Sequence, residues 1–302
     1  MAVIEVEHLH KRYGQVTAVR DVSFQVEQGE IFGILGPNGA GKTTTVECLS
    51  GLRQADGGRV SVLGLDPVRQ RDELRQVLGV QLQASGLPDK LRVREALELY
   101  ASFYRQPADP VELMDRLGLA EKADARYKKL SGGQQQRLAI ALAMIGRPRA
   151  VVLDELTTGL DPHARRTTWE LVEQVRDTGV TVLLVTHFME EAERLCDRVA
   201  LIDRGEVVAV DTPAGLAARA GQRQRMRFRP SAPLPEEALR ALPEVAELTW
   251  HGPVVEISGT GNLVHAVTAQ LARAQIIAAD LRVDQASLDD AFIALTGHTD
   301  AD

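Results

Sequence analysis

The residues best suited to chemistry form a glycine-rich stretch near the N-terminus, and their types and spacing predict a loop that binds phosphate. Glycines allow backbone conformations that a Cβ would strain, so successive N–H groups can point at phosphate oxygens. Within such a loop the lysine contacts the β- and γ-phosphates and the threonine hydroxyl coordinates Mg²⁺. The pattern, Gly, four residues, Gly-Lys-Thr, consists of Gly36, Pro37, Asn38, Gly39, Ala40, Gly41, Lys42, Thr43 and Thr44.

Two acidic residues follow a run that is typical of a buried strand. Residues 150–153 are entirely apolar, as in a central parallel strand, and the run ends at Asp154 and Glu155. A buried carboxylate is costly unless a cation or hydrogen bonds compensate it. Mg²⁺ held jointly by Asp154 and Thr43 would provide that compensation, whereas the alternative interpretation is a solvated strand end.

A histidine follows a second apolar strand. Residues 180–185 are apolar apart from one threonine, and His187 comes two positions later. A lone histidine is more often structural than catalytic. In α/β folds, however, ligands bind beyond the carboxyl ends of the parallel strands, and His187 would emerge there with the two acids.

The elements that must position these residues can be predicted from periodicity. Alternating runs at 3–9 and 21–27 predict antiparallel strands ahead of a short strand at 31–35 and the phosphate loop. From residue 92 to about residue 144 the apolar spacing is helical, which predicts a helical insertion. The segment 130–137 interrupts this insertion with a polar glycine turn.

The turn at 130–137 opens another helix. Ser131 is a plausible N-cap for it, but a cap does not require the pair Gly132 and Gly133 that follows. Two other features leave alternatives open. Tyr13 is an exposed aromatic in a turn, either by chance or as a stacking platform, and Gln81 and Gln83 compete for any polar role.

The composition of the chain changes after about residue 218, which predicts domains at 1–218 and 222–302. Arginines at every second position, Arg223, Arg225, Arg227 and Arg229, would share one strand face. That face is either simply solvated or in contact with anionic lipid headgroups or a partner. The following order of strand, helix, two strands, helix and strand resembles a ferredoxin-like α+β unit, in which we identify no chemistry.

The composition of the chain argues against a membrane-spanning, exported or nucleic-acid-binding protein. The 302 residues are 44% hydrophobic and 25% charged, an average globular balance. Neither a signal-type N-terminus nor an apolar run of about 20 residues is present, so we expect a cytoplasmic protein. A net charge of −7 disfavours a nucleic-acid partner. The two cysteines, Cys48 and Cys196, are expected to be buried thiols.

Taken together, the motifs over residues 3–218 resemble the ATP-binding cassette (ABC) ATPases, because six elements occur in that family's order. Residues 36–44 resemble the Walker A loop, and residues 150–155 resemble the Walker B strand with its catalytic glutamate. The other matching residues are Ser131, Gly132, Gly133 and Gln134 of the signature motif, Gln83 of the Q-loop, Asp161 of the D-loop, the switch histidine His187 and the adenine-stacking Tyr13.

The resemblance implies an α/β fold with a P-loop NTPase core, an antiparallel β subdomain and a helical insertion. It also implies a Mg²⁺-dependent ATPase that works as a head-to-tail dimer with two sandwiched ATP molecules. In such a dimer Ser131 to Gln134 and Asp161 act in trans. Glu155 polarises the attacking water, His187 contacts the γ-phosphate, and Thr43, Gln83 and Asp154 surround the metal.

The same resemblance implies a partner with membrane spans. We expect the ATPase subunit of an exporter, held at the inner face of the membrane by a separate permease that docks near Gln83 and the helical insertion. Residues 222–296 are similar to extensions on exporter ATPases of the daunorubicin-resistance type. The alternatives are a soluble ABC ATPase acting on ribosomes or DNA, and a regulatory module without turnover.

One residue departs from the family pattern. Leu156 stands where proline usually follows the glutamate, and a leucine has an N–H and a wider φ range. The turn bearing Glu155 could therefore be less rigid, and we expect Leu156→Pro to change ATPase turnover by less than about tenfold.

Overall fold

The computed structural model describes residues 2–82, 86–219, 224–284 and 287–296. The chain divides into two compact units, Met1–Thr212 and Pro213–Asp302. The sequence predicted a boundary between residues 218 and 222. In the structure the boundary lies between Thr212 and Pro213, because the helix Pro213–Arg219 belongs to the second unit. The alanine-rich composition of this helix does not indicate to which unit it belongs.

The first unit contains one nine-stranded sheet of mixed direction. Its central strands are parallel, and the strand before the phosphate loop, Ile31–Leu35, pairs on both sides with strands from the second half of the unit. The sheet order is β4-β1-β2-β9-β8-β3-β7-β6-β5. The strands are β1 (Ala2–Tyr13), β2 (Val16–Glu27), β3 (Ile31–Leu35), β4 (Gly57–Val62), β5 (Leu78–Gln81), β6 (Ala150–Asp154), β7 (Thr181–Thr186), β8 (Arg198–Asp203) and β9 (Glu206–Asp211).

The predicted antiparallel group is present, since β1 pairs with both β2 and β4 in antiparallel register. Every residue of β3, β6 and β7 is buried, as expected for parallel strands that are covered on both faces. The candidate site residues at the ends of these strands are therefore attached to a fully buried part of the sheet.

Seven helices lie within the described residues of the first unit. Three of them, with two single turns of 3₁₀-helix at Ala120–Lys122 and Tyr127–Lys129, account for the helical stretch predicted at 92–144. The helices are α1 (Lys42–Leu49), α2 (Arg71–Val77), α3 (Val93–Ala101), α4 (Pro110–Arg116), α5 (Gly132–Met144), α6 (Pro162–Asp177) and α7 (Met189–Leu195). No helix in the described ranges is both long and apolar enough to span a bilayer.

Both cysteines are buried free thiols, as predicted. Burial raises the pKa of the Cys48 thiol to about 11 and raises the pKa of Cys196 as well. Because the thiolate is the reactive form, neither side chain is suited to nucleophilic or redox chemistry.

The second unit is built on a four-stranded antiparallel sheet of order β11-β12-β10-β13. Two of its helices lie between strands, so the sequence of elements is that of a split βαβ unit. The elements are α8 (Pro213–Arg219), β10 (Gln224–Pro230), α9 (Glu236–Arg240), β11 (Val245–His251), β12 (Val254–Gly259), α10 (Leu263–Arg273), β13 (Ala278–Asp284) and α11 (Leu288–Thr296).

The arginines of β10 alternate with buried residues, which confirms a common face for Arg225, Arg227 and Arg229. Arg223 lies outside the described residues. Each of the three described arginines reaches a carboxylate of the same unit. The N–O distances are 3.0 Å from Arg225 to Asp290, 2.6 Å from Arg227 to Glu256 and 3.4 Å from Arg229 to Asp280. The solvated interpretation is thereby favoured, because much of the positive charge is already neutralised.

Candidate functional site

The phosphate loop connects β3 to α1, and its shape depends on glycine. Gly39 and Gly41 have φ angles of 83° and 101°, in the region that side chains disfavour. A Cβ on Gly36 would collide with the carbonyl oxygen of Ile202, and one on Gly41 would lie 2.5 Å from the carbonyl oxygen of Ala18. The loop therefore rests directly on the backbone of two neighbouring segments.

Lys42 is the first residue of α1 and only 5% of its surface is exposed. Its ammonium group donates hydrogen bonds to the carbonyl oxygens of Gly36 (2.7 Å) and Pro37 (2.9 Å), which holds it across the loop. Burial lowers the pKa of Lys42, and the carboxylates of Glu155 and Asp154 oppose that shift. The buried Lys42 ammonium group and the carboxylates of Glu155 and Asp154 thus form a cluster of charged groups at this edge of the sheet.

A pocket of about 600 Å³ brings the predicted groups together, and its size is within the usual range for small-molecule sites. Lysine, hydroxyl, carboxylate and imidazole groups line the same space, as phosphoryl transfer requires. The lining residues are Ala18, Asn38, Gly39, Gly41, Lys42, Thr43, Thr44, Glu155, Thr158 and His187.

Glu155 follows β6 with a φ of 49°, which is unusual for a residue with a side chain. Its N–H donates to the carbonyl oxygen of Val185 (2.8 Å), so the turn is attached to β7. One carboxylate oxygen lies 3.3 Å from Nδ1 of His187, and the other accepts from the Thr158 hydroxyl at 3.5 Å. Leu156, next in the chain, is 1% exposed, and the effect of replacing it with proline stays a prediction.

Asp154 ends β6 and is 1% exposed. Its carboxylate opposes the lowering of the Lys42 pKa that burial causes, and Thr43 lines the pocket that Lys42 also lines. A buried carboxylate and a hydroxyl are hard oxygen donors of the kind Mg²⁺ prefers, and this ion usually keeps several waters and takes few protein ligands. The residues present therefore fit the expected metal.

The two glutamines have different places in the structure. Gln81 is 6% exposed, accepts a hydrogen bond from the Asp154 N–H (3.1 Å) and donates to the carbonyl oxygen of Leu82 (2.9 Å). Its side chain is thus engaged in holding β5 to β6. Gln83, the preferred Q-loop residue, lies outside the described residues.

Ser131 caps α5 and does not line the pocket. Its hydroxyl accepts from the Gln134 N–H (3.3 Å), and the Gln134 side chain accepts from the Ser131 N–H (3.0 Å), forming a capping box. The glycine pair allows close packing, because Cβ atoms at Gly132 and Gly133 would lie 3.4 Å from side chains of Leu160 and Ala164. The exposed start of α5 is consequently set against the segment that contains Asp161.

Asp161 caps α6 by accepting from the N–H groups of His163 (2.9 Å) and Ala164 (3.0 Å). The Ala164 hydrogen bond is the main cause of the lowered pKa of Asp161. Tyr13, at the end of β1, is 40% exposed. Neither residue lines the pocket, so the pocket in one chain contains only part of the predicted set.

The sequence analysis missed a buried carboxylate, Glu191 of α7. It is 0% exposed and accepts hydrogen bonds from Thr157 and Trp169. In the sequence it follows another glutamate at the start of a helix, which is the pattern of a solvated first turn. No local signal distinguished the two acids.

Comparisons with known proteins agree with this geometry. Residues 19–158 match the family model described as "ABC transporter". The linearmycin resistance ATP-binding protein LnrL of Bacillus subtilis is 34% identical, covering 98% of this chain and 99% of its own. The daunorubicin resistance ATP-binding protein DrrA2 of Streptomyces coeruleorubidus is 37% identical over 98% and 95%. A Nod factor export ATP-binding protein I from Paraburkholderia xenovorans is 38% identical over 98% and 97%.

Solved structures give the same result for the fold. An ATP-binding subunit of an ABC transporter aligns with a TM-score of 0.65 and 27% identity, covering 72% of this chain and 92% of that one. An ATP-binding cassette solved as a dimer with ADP and Pi in a post-hydrolysis state aligns with a TM-score of 0.62 and 26% identity, covering 69% and 98%.

Proposed function

This chain belongs to the ABC transporter family as an ATP-binding subunit with ATPase activity, and we propose that it powers export through a separate membrane subunit. The pocket that joins Lys42, Glu155 and His187 is the observation that carries the assignment of the reaction. The full-length similarity to drug-resistance and Nod factor export proteins supports the direction of transport. The substrate class that fits these relatives is a drug, an antibiotic or a lipid-like molecule.

In the proposed reaction the phosphate loop and Lys42 bind the β- and γ-phosphates. Glu155 acts as the general base for water, in the orientation given by His187 and Thr158. Thr43 and Asp154, with Gln83, would hold Mg²⁺, which supplies charge neutralisation at the phosphates. Tyr13 would stack on the adenine.

The second half of the site would come from another copy of the chain. The start of α5 is a helix N-terminus, a place that favours anions such as a γ-phosphate, yet it does not line the pocket of its own chain. A head-to-tail dimer would bring Ser131 to Gln134 and Asp161 of one chain to the phosphate loop of the other.

Mixing two inactive variants tests this dimer. Lys42→Ala disables the loop, and Gly133→Asp sets a carboxylate against the γ-phosphate while remaining favourable for the helix N-terminus. We expect each variant alone to be inactive. An equimolar mixture should recover about a quarter of wild-type turnover, because half of the dimers are mixed and each has one intact site. A mixture without recovered phosphate release would contradict a site shared between chains.

The membrane subunit would dock in a groove of about 650 Å³ beside the Q-loop segment. Leu82, adjacent to Gln83, and Phe103 and Tyr104, which follow α3, lie on its wall. Phe103 is 61% exposed, and an exposed aromatic beside apolar strand residues suits an amphipathic segment of a partner. This contact would hold the chain at the inner face of the membrane.

Co-purification with a membrane protein encoded beside this chain tests the docking. Phe103→Glu should abolish co-purification and leave the ATPase rate of the isolated chain unchanged. Val111→Glu is the matched control, because Val111 is equally exposed at 61% but lies outside the groove. Unchanged co-purification of the Phe103 variant would contradict the docking site, and a wild-type chain that never associates with membranes would contradict the transport function.

A further inference from the structure

Three segments of the first unit meet at one buried carboxylate oxygen. Oε1 of Glu191 accepts a hydrogen bond from the Thr157 hydroxyl and another from the Trp169 indole N–H, each at 2.9 Å. The three residues are 0%, 0% and 7% exposed respectively. Both contacts are therefore shielded from solvent, where a hydrogen bond is electrostatically stronger than in water.

Each of the three segments contains a residue of the candidate site. Thr157 comes two positions after Glu155, Trp169 belongs to the helix that Asp161 caps, and Glu191 lies four positions after His187 in the helix that follows it. The Glu191 carboxylate is thus a single point that connects the base, the histidine and the segment predicted to face a second chain.

A second contact joins the same elements. The guanidinium group of Arg165 in α6 lies over the ring of Phe188, 4.8 Å from its centroid, and that ring packs 4.1 Å from the His187 ring. A shift of α6 would therefore reach His187 by two routes, a polar one through Glu191 and one through Arg165 and the Phe188 ring.

Packing alone does not require a carboxyl group at this place. Apolar side chains of similar volume often replace buried ionic groups without loss of stability. Among the described residues the second oxygen of Glu191, Oε2, accepts no hydrogen bond. The carboxylate thus has a costly environment that a hydrophobic residue would avoid.

We propose that Glu191 is a positioning residue that couples the Asp161 segment to Glu155 and His187. This inference rests on the proposed ATPase function and adds a route by which dimer closure would act on the catalytic carboxylate. A displacement of α6 moves Trp169, and through Oε1 of Glu191 it moves Thr157 and the start of α7 together. Glu155 and His187 consequently keep their contact only when α6 is in place.

Steady-state ATPase kinetics on the full chain test the role. Glu191→Leu removes the acceptor, and we expect kcat to fall at least about tenfold, because a displacement of about 1 Å in a catalytic group can cost on the order of a hundredfold. KM for ATP should stay within about twofold, since the phosphate loop is untouched. Glu191→Gln retains an oxygen for both donors and should restore most of kcat. Glu170→Gln is the control, because Glu170 is an exposed acid of α6 next to Trp169 and takes no part in either contact.

A triple variant separates positioning from stability. Glu191→Leu combined with Thr157→Val and Trp169→Phe removes all three polar groups, so no buried donor is left unpaired. We expect its melting temperature to return to near the wild-type value while kcat stays low. Thr157→Val and Trp169→Phe alone should each lower kcat by a smaller factor.

Full recovery of kcat in the triple variant would overturn the proposal and assign Glu191 a purely structural role, as would a kcat for Glu191→Leu equal to that of wild type. Both results would leave the ATPase function intact. Absence of phosphate release from the wild-type chain would instead contradict the proposed function itself.

Discussion

The two units of the chain differ in where their polar side chains lie. Among the described residues all ten buried polar or charged side chains belong to the first unit, and they include Lys42, Asp154 and Glu191. The second unit has an apolar core around Phe228, Ile257 and the helices α9 and α10. The three arginines described in β10 stay at the surface in ion pairs with acids of other elements.

This difference indicates that the first unit carries out the chemistry, whereas the core of the second unit serves only to stabilise its fold. Burying a charge is costly unless it is paired or bonded, so the burial of Lys42 and Asp154 near the site indicates a demand that packing does not create. The second unit shows no such demand in its described residues. We therefore expect its contribution to be made through its surface and its fold.

The largest expected effect is on ATP turnover, from a substitution in the first unit. Glu155→Gln keeps the shape of the side chain but removes the base, and turnover should fall on the order of a hundredfold or more. ATP binding should persist, because Lys42 and the loop are unchanged. Phosphate release and equilibrium nucleotide binding measure the two effects, with Glu170→Gln, an exposed change in α6, as the control. Undiminished hydrolysis in Glu155→Gln would remove the assignment of the base.

An intermediate effect is expected in the core of the second unit. Ile257 is 0% exposed and Ile277 is 70% exposed, so the same substitution probes burial alone. Ile257→Ala should lower the free energy of unfolding of this unit by about 2–5 kcal/mol, and Ile277→Ala by less than about 0.5 kcal/mol. Denaturant titration measures both changes. The ATPase rate of the Ile257 variant should stay near wild type, and its complete loss would show that the two units are not separable in function.

The smallest effect is expected at the surface of the second unit. Arg227 and Glu256 form the shortest of the three ion pairs, but the arginine side chain is 48% exposed, and exposed pairs typically contribute less than about 1 kcal/mol. Arg227→Met should therefore change the free energy of unfolding by no more than this amount. A loss above about 2 kcal/mol would mean that charges matter to the second unit as much as to the first.

The sequence predicted the residues whose chemistry depends on local spacing. Lys42 and Thr43 follow from the glycine pattern, and Asp154, Glu155 and His187 from their positions after apolar strands. The parallel strands bring their ends to one edge, and the pocket confirms that Lys42, Glu155 and His187 line the same space. These three residues could be placed together from sequence because parallel strands end at the same edge of a sheet, and the roles assigned to them stay predictions.

Residues that meet only through tertiary packing could not be predicted. Glu190 and Glu191 are neighbours with the same side chain, yet one is exposed and the other is fully buried. The difference depends on how α7 lies against Trp169, which no local pattern encodes. In the same way, the acids that pair with Arg225 and Arg229 come from distant elements, so the arginine face appeared more basic than it is.

The close fit of Gly36 against Ile202 has a consequence for synthesis of the chain on the ribosome. The strand before the loop, β3, is flanked by β7 and β8, and the backbone under Gly36 belongs to β8. The nucleotide loop is translated early but cannot be seated until residue 202 has left the ribosome. At about 5–20 residues per second this leaves an interval on the order of 10 s to 30 s. During that time the β8 backbone that packs against the glycine-rich loop has not yet been synthesised. Bound nucleotide can therefore assist folding only when translation of the first unit is nearly finished.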